Sequence, residues 1–182
     1  MRKLCVQQFV SLDGFSLEQG TEFWSWWEAL PDDDEAEERL IARLRRAGTH
    51  IMGRVTYEGM AQYWPNSSHP VAPVMNEIPK VVFSKTLPAA EWPESRIARG
   101  DTAEEIARLK AEPGGDIVAH GGIRFVQSLA RLGVVDEYRL LIYPIAVGAG
   151  ISPFATLEGL QPLRLVSNTA FPSGVLALVY ET

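Results

Sequence analysis

Apolar and polar positions along the chain follow two rhythms, short continuous apolar runs and a helical period, and these predict strands and helices in alternation. An apolar, β-branched run over residues 3–10 ends at Ser11-Leu12-Asp13-Gly14, where Asp-Gly marks a turn, so a first strand leads into a loop. Over residues 34–46, Ala36, Leu40, Ile41 and Leu44 share one face, with Asp32-Asp33-Asp34 at the front and Gly48 behind. That spacing predicts an amphipathic helix whose closing Arg43, Arg45 and Arg46 complement its dipole. A short strand over 49–52 follows, then a helix over 55–63 that Pro65 stops. A Pro-rich connection to Ile78 leads to a buried strand over 80–84.

A third helix is expected over 102–111, with Thr102 and Glu105 as a capping box and Pro113-Gly114-Gly115 as its stop. Residues 116–119 read as another buried strand. Gly121-Gly122 opens a helix whose face carries Phe125, Val126, Leu129 and Leu132. Beyond Gly133 the rhythm changes: 138–145, 163–167 and 175–180 read as strands with no helix between them. The expected fold is a single α/β domain over residues 1–182, three-layered α/β/α, with a mostly parallel central sheet and an antiparallel C-terminal edge.

Composition narrows the functional classes. The chain has 182 residues, 46% of them hydrophobic, enough for one full core. Its 17 Lys+Arg against 23 Asp+Glu give a net charge of −6, which argues against nucleic acid as a partner. A lone cysteine, Cys5, builds neither a disulfide framework nor a thiolate cluster and fits a reducing cytoplasm. Gln7-Gln8 interrupts the first apolar run before a signal core forms, and no apolar window is long enough to cross a membrane. His50, His69 and His120 lack paired ligand spacing, so no metal is expected.

Two strand-to-helix junctions carry glycine, Met52-Gly53-Arg54-Val55-Thr56 and Ala119-His120-Gly121-Gly122-Ile123-Arg124. Helix N-termini expose unpaired N–H groups, and glycine lets a phosphate approach them, so two such ends fit one extended anion. They equally fit tight βα turns. Ser84-Lys85 closes the next strand, where Lys85 and Arg54 either hold a phosphate or are ordinary surface cations.

These elements, with Lys80-Val81-Val82-Phe83-Ser84 and Tyr143-Pro144-Ile145-Ala146-Val147-Gly148-Ala149-Gly150, resemble the dihydrofolate reductase-like superfamily in order and over essentially the whole chain. Within it, the resemblance is to the reductase domain found at the C-terminus of the bifunctional riboflavin-biosynthesis deaminase/reductase. The resemblance implies an NADPH-dependent oxidoreductase acting on a small planar, pterin-like or other heterocyclic or carbonyl substrate. It implies that Gly53, Arg54 and Thr56 meet the cofactor, that Ser84 and Lys85 approach its 2′-phosphate with Arg54, and that Gly121, Gly122, Ile123 and Arg124 cradle the pyrophosphate. Backbone at Phe9 and Val10 would hold the nicotinamide amide, with Gly148 on the same side. His120 stands where the family usually has a small residue.

Hydride transfer to a C=N bond needs a proton on nitrogen, which in folate reduction comes by way of a carboxylate on the first long helix. Glu37 matches that place, although Asp34, Glu35 and Glu38 are equally available, and Asp13 after the first strand is a second candidate. Trp24 and Trp27, in Phe23-Trp24-Ser25-Trp26-Trp27, and Tyr57 are expected around the substrate; the tryptophans equally suit a cover over the core or a dimer partner. A homodimer is expected from the resemblance and the surplus of aromatics. A non-catalytic nucleotide-binding module that keeps the cofactor site is the alternative reading.

Overall fold

A computed structural model describes residues 1–17 and 34–182. The predicted rhythm is realised as β1 (Leu4–Ser11), α1 (Asp34–Leu44), β2 (Ala47–Gly53), α2 (Arg54–Tyr63), α3 (Ala72–Glu77), β3 (Lys80–Phe83), β4 (Ser95–Ala98), α4 (Thr102–Ala111), β5 (Asp116–His120), α5 (Ile123–Arg131), β6 (Glu137–Tyr143), β7 (Arg164–Ala170) and β8 (Leu176–Glu181). The strands form one eight-stranded sheet in the order β4-β3-β2-β5-β1-β6-β8-β7. Pairings from β4 through to β6 are parallel, and β8 pairs antiparallel with both β6 and β7, which is the expected antiparallel edge.

Side-chain alternation along the central strands divides the core into two layers. Ile117 and Ala119 of β5, Ile51 of β2 and Val81 of β3 pack with Ile106 and Leu109 of α4 and Val126 and Leu129 of α5. The intervening Val118, Met52 and Val82 pack on the other face with Leu44 of α1, Tyr57 of α2 and Val74 and Met75 of α3. His50 and His120 alternate with Ile51 and Ala119 and therefore lie on the face covered by α1 to α3.

Several boundaries differ from the sequence-based expectation. The helix expected to reach Arg46 ends at Leu44, and β2 begins at Ala47 with a bulge against β5. Gly48 is then less a helix stop than a close approach: a Cβ there would lie 2.7 Å from the Gly115 amide nitrogen. The Pro-rich connection contains a 3-10 turn, Trp64–Asn66, and helix α3. Strand β4 was not anticipated, because as the sheet's edge it needs little apolar content and shows only Ile97 between charged and small neighbours.

The capping box is also corrected. Asp101 is the N-cap of α4, accepting from the Glu104 amide at 3.0 Å. Glu105 is instead buried and takes hydrogen bonds from Arg96 at 2.5 Å and Arg108 at 2.8 Å, tying α4 to β4.

Candidate active site

Strand order decides where the site lies. The chain moves from β1 outward to β2, β3 and β4, then returns to insert β5 between β2 and β1, so the C-terminal ends of β1 and β5 form the switch point of the sheet. Gly53 and Phe83 are register partners, so Arg54 and Ser84 leave the sheet side by side. Ile51 partners Ala119, which brings the Gly121-Gly122 junction next to them.

The two helix starts meet at this edge. Gly122, at φ 70°, is the N-cap of α5, and Gly53 is the N-cap of α2; neither helix receives a side-chain cap. The first α5 amides to find an intrahelical-type acceptor are those of Phe125 and Val126, both on the Gly122 carbonyl, which leaves the backbone at Ile123 and Arg124 as the exposed positive end. Thr56 of α2 sits directly over it: a Cβ on Gly122 would come within 2.6 Å of the Thr56 Oγ1. The ring of Phe125 fills the space above Gly53, where a Cβ would lie 3.4 Å from the Phe125 Cβ, and stacks at 5.0 Å on Phe83. Ile123 is buried in side chain, so only its backbone faces the junction.

The cations at this edge are more constrained than the sequence indicates. Arg54 donates through Nη1 to both carboxylate oxygens of Glu58, at 2.9 and 2.8 Å, one helical turn on. The Ser84 hydroxyl accepts from the amides of Thr86 and Leu87, fixing the turn that carries the exposed Lys85. Arg99, which follows the unanticipated β4, donates to the carbonyls of Lys85, Leu87 and Pro88 and braces that turn from beneath. No sequence signal marks Arg99 without knowledge of β4.

At the end of β1 the backbone is already occupied. The Phe9 carbonyl accepts from the Leu17 amide at 3.0 Å, and Val10 bridges to Ser16 on the side that β5 vacates. One lone pair of the Phe9 carbonyl, expected near a nicotinamide amide, is thus engaged within the chain. Asp13, in the turn closed by the Gly14 amide on the Ser11 carbonyl, accepts from the amides of Val147 at 3.2 Å and Gly148 at 2.7 Å. Hydrogen bonding from the Ser11 hydroxyl first, then from Gly148 and Val147, holds its carboxyl below the usual range. That makes Asp13 a clamp between the loops after β1 and β6. Gly148, expected on the nicotinamide side, gives its amide to the same clamp.

Tyr57 is also corrected. It is buried, and its hydroxyl accepts from the Trp92 amide at 2.9 Å, so it belongs to the core beneath α2 and not to a substrate surface. Tyr57→Phe is expected to lower unfolding free energy by about 1–3 kcal/mol, the cost of orphaning a buried amide, and urea titration measures it. Trp24 and Trp27, with Phe23 to their front, lie outside the described residues.

Glu37 projects from the first turn of α1, whose Ala36 packs on the cluster of Phe9, Tyr143 and Phe171 at the C-terminal ends of β1 and β6. Its Oε1 is shielded from solvent and, among the described residues, has no hydrogen-bond partner. His69 Nδ1 stands 3.8 Å away, accepting at 3.3 Å from the Val71 amide while its ring meets Trp64 edge-on. Sequence reasoning missed His69, since a lone histidine 32 positions from Glu37 carries no spacing signal. Asp34, Glu35 and Glu38 are exposed, and Glu35 pairs with Arg39. Among the described residues no cluster of metal-ligating side chains exists, and no helix is long and apolar enough to cross a membrane.

A family model described as the RibD C-terminal domain matches residues 2–177. The chain belongs to the RibD C-terminal domain family. This family member is 29% identical over 185 residues to the protein YyaP of Bacillus subtilis (strain 168), covering 99% of this chain and 95% of that one. Its fold is similar to the crystal structure of a putative riboflavin biosynthesis protein from Shewanella sp. PV-4, with a TM-score of 0.80, 20% identity and 98% of each chain covered. It is also similar to dihydrofolate reductase from Enterococcus faecalis complexed with NADP(H), with a TM-score of 0.56, 16% identity, and 98% and 94% covered. The dihydrofolate reductase-like fold expected from the sequence is the fold of this family member.

Proposed function

We propose that the protein is an NADPH-dependent reductase acting on a small planar heterocyclic or carbonyl substrate. The observation that carries this reading is the junction of two helix N-termini, both without side-chain caps, over the Thr56–Gly122 contact at the carboxyl ends of the central strands. Such a junction fits the diphosphate of a dinucleotide, because backbone amides of the Gly121-Gly122-Ile123-Arg124 segment and the Thr56 hydroxyl converge where no Cβ intervenes. Arg54, Ser84 and Lys85 then serve the 2′-phosphate, with Arg54 exchanging its Glu58 partner for the more highly charged phosphate. Gly53 allows the first turn of α2 to come close.

When bound, NADPH supplies the hydride. The chain's own residues orient the reactants and manage the proton. Glu37 Oε1 and His69 Nδ1 are two acceptors facing one another at 3.8 Å. Glu37 stands at the start of α1, beside the cluster that includes Phe9, where it would pass a proton to the substrate. Asp13 keeps the loops after β1 and β6 together across this end of the sheet.

Titration calorimetry with NADPH tests the reading. Binding is expected, and Gly122→Ala is expected to weaken it about tenfold, since left-handed backbone costs an L residue about 1–2 kcal/mol and the added methyl meets Thr56. Absence of NADPH binding to the unaltered protein would sink the proposal. Binding without turnover on pterins, aminouracil ribityl phosphates and quinones would identify a nucleotide-binding module instead.

A further inference from the structure

At the opposite end of the sheet, where the strands begin, a cavity of about 280 Å³ is lined by Lys3, Arg43, Arg46, Asp116, Glu137, Arg139 and Val179. Asp116 opens β5 and Glu137 opens β6, while Arg43 and Arg46 stand at the end of α1. The four- to five-residue run of β5 from Asp116 to the Gly121 junction puts this cavity roughly 15–20 Å from the proposed cofactor site at about 3.3 Å per residue.

Its charges do not balance. Lys3, Arg43, Arg46 and Arg139 face two carboxylates in the lining, in a chain whose net charge is −6. Both carboxylates are already used: Arg139 bonds Asp116 at 2.9 Å and Glu137 at 2.5 Å, and Lys3 approaches Glu137 at 3.5 Å. Lys3 has a further partner in Glu181. Arg43 is half-buried, and among the described residues it has no carboxylate within ion-pair distance. Burial, and then the neighbouring Arg139, work against its charge, and Glu137 in the same lining offsets part of this. Cations taken out of water are ordinarily paired, so a half-buried guanidinium beside a second one favours the approach of an anion. The negative end of the α1 dipole, about half a charge, offsets only part of the positive charge.

We propose that this cavity binds a small phosphate-bearing anion, held by Arg43 and Arg46 with Lys3 and Arg139 around it. With Lys3 paired to Glu181, the cations left over favour an anion, and forked guanidinium donors match phosphate oxygens. Val179 is the one apolar residue in the lining, which leaves little to hold a hydrophobic body. The volume, at the lower end of the range for ligand sites, admits inorganic phosphate or a phosphomonoester of a few carbons.

Calorimetric titration of the full chain with inorganic phosphate, glycerol phosphate and succinate tests this. Saturable binding of phosphate or of glycerol phosphate is expected, the stronger of the two naming the physiological form. Arg43→Gln and the exposed Arg46→Gln are each expected to weaken it about tenfold or more, the worth of a charge-assisted hydrogen bond. Thermal stabilisation by the same anion should shrink in parallel. Arg108→Gln, on α4 and outside both sites, should leave this binding unchanged. The proposal is overturned by the absence of saturable phosphate binding, by binding that survives both arginine substitutions, by loss of binding in Arg108→Gln, or by succinate binding as tightly as phosphate.

Discussion

Glu37→Gln is expected to lower kcat by about 10²–10⁴-fold, the range for losing a positioned proton-transfer group, while NADPH affinity stays unchanged. Glutamine keeps the size and polarity of the side chain and removes only its ability to carry a proton. Glu37 is well placed for that role, because its Oε1 is shielded and, among the described residues, unpartnered, with His69 Nδ1 at 3.8 Å. The positive end of α1 also favours a carboxylate in its first turn. His69→Gln should produce a smaller loss, about tenfold, since the carboxylate remains. Consumption of NADPH, followed by its absorbance on any substrate the unaltered protein turns over, gives kcat; calorimetry gives the affinity. Unchanged kcat in Glu37→Gln would remove this residue from the proton path.

Folding stability is expected to fall by about 3 kcal/mol between pH 6.5 and 4 through His120 alone. Burial lowers the His120 imidazole to about 4, against an ordinary value of 6.5. His50, whose ring lies 4.4 Å away at 64°, is lowered well below its usual value by burial and then by His120 and Lys80. Each shift has the same sign. Below 6.5 the unfolded chain takes up protons that the native protein refuses, so stability is complete above pH 6.5 and drains away as pH falls towards 4. Among the described residues, both ring nitrogens of His50 and Nε2 of His120 have no hydrogen-bond partner that would favour the charged form. Urea midpoints measured across this window for the unaltered protein and for His120→Gln provide the check. The substituted protein should show a flatter profile, and an identical slope in the two would contradict the assignment.

These two expectations differ in how far the sequence reaches towards them. Glu37 is legible as one of four acidic residues at a helix start, but its distinction from Asp34, Glu35 and Glu38 depends on which way each side chain leaves α1. Only Glu37 among them is both shielded and close to His69. The pairing of His50 with His120 has no sequence signal at all, because it follows from the insertion of β5 beside β2.

The glycine junctions were readable because they rest on local chemistry. A helix start after a buried strand needs only short-range features, and Gly122 at φ 70° satisfies a local steric demand. Arg54 shows the limit of that approach: its position is local, but its bidentate contact with Glu58 competes with the phosphate role for which its charge was singled out. Tyr57 looks like a pocket aromatic in the motif, and it is buried because α2 turns that face towards Trp92, 35 positions along the chain.

By itself, the sequence determined the alternation of strands and helices, the antiparallel close of the sheet and the glycine-marked ends of the central strands, all of which follow from apolar period and backbone sterics over a few residues. The tertiary structure alone decided the edge strand β4, the Asp101 cap in place of Thr102, the clamp of Asp13 on Gly148 and the uncompensated charge around Arg43. Each of these except the cap joins elements far apart in the chain, where burial and electrostatics depend on strand order; at the cap, two neighbouring polar residues compete and the entry angle of the chain selects one.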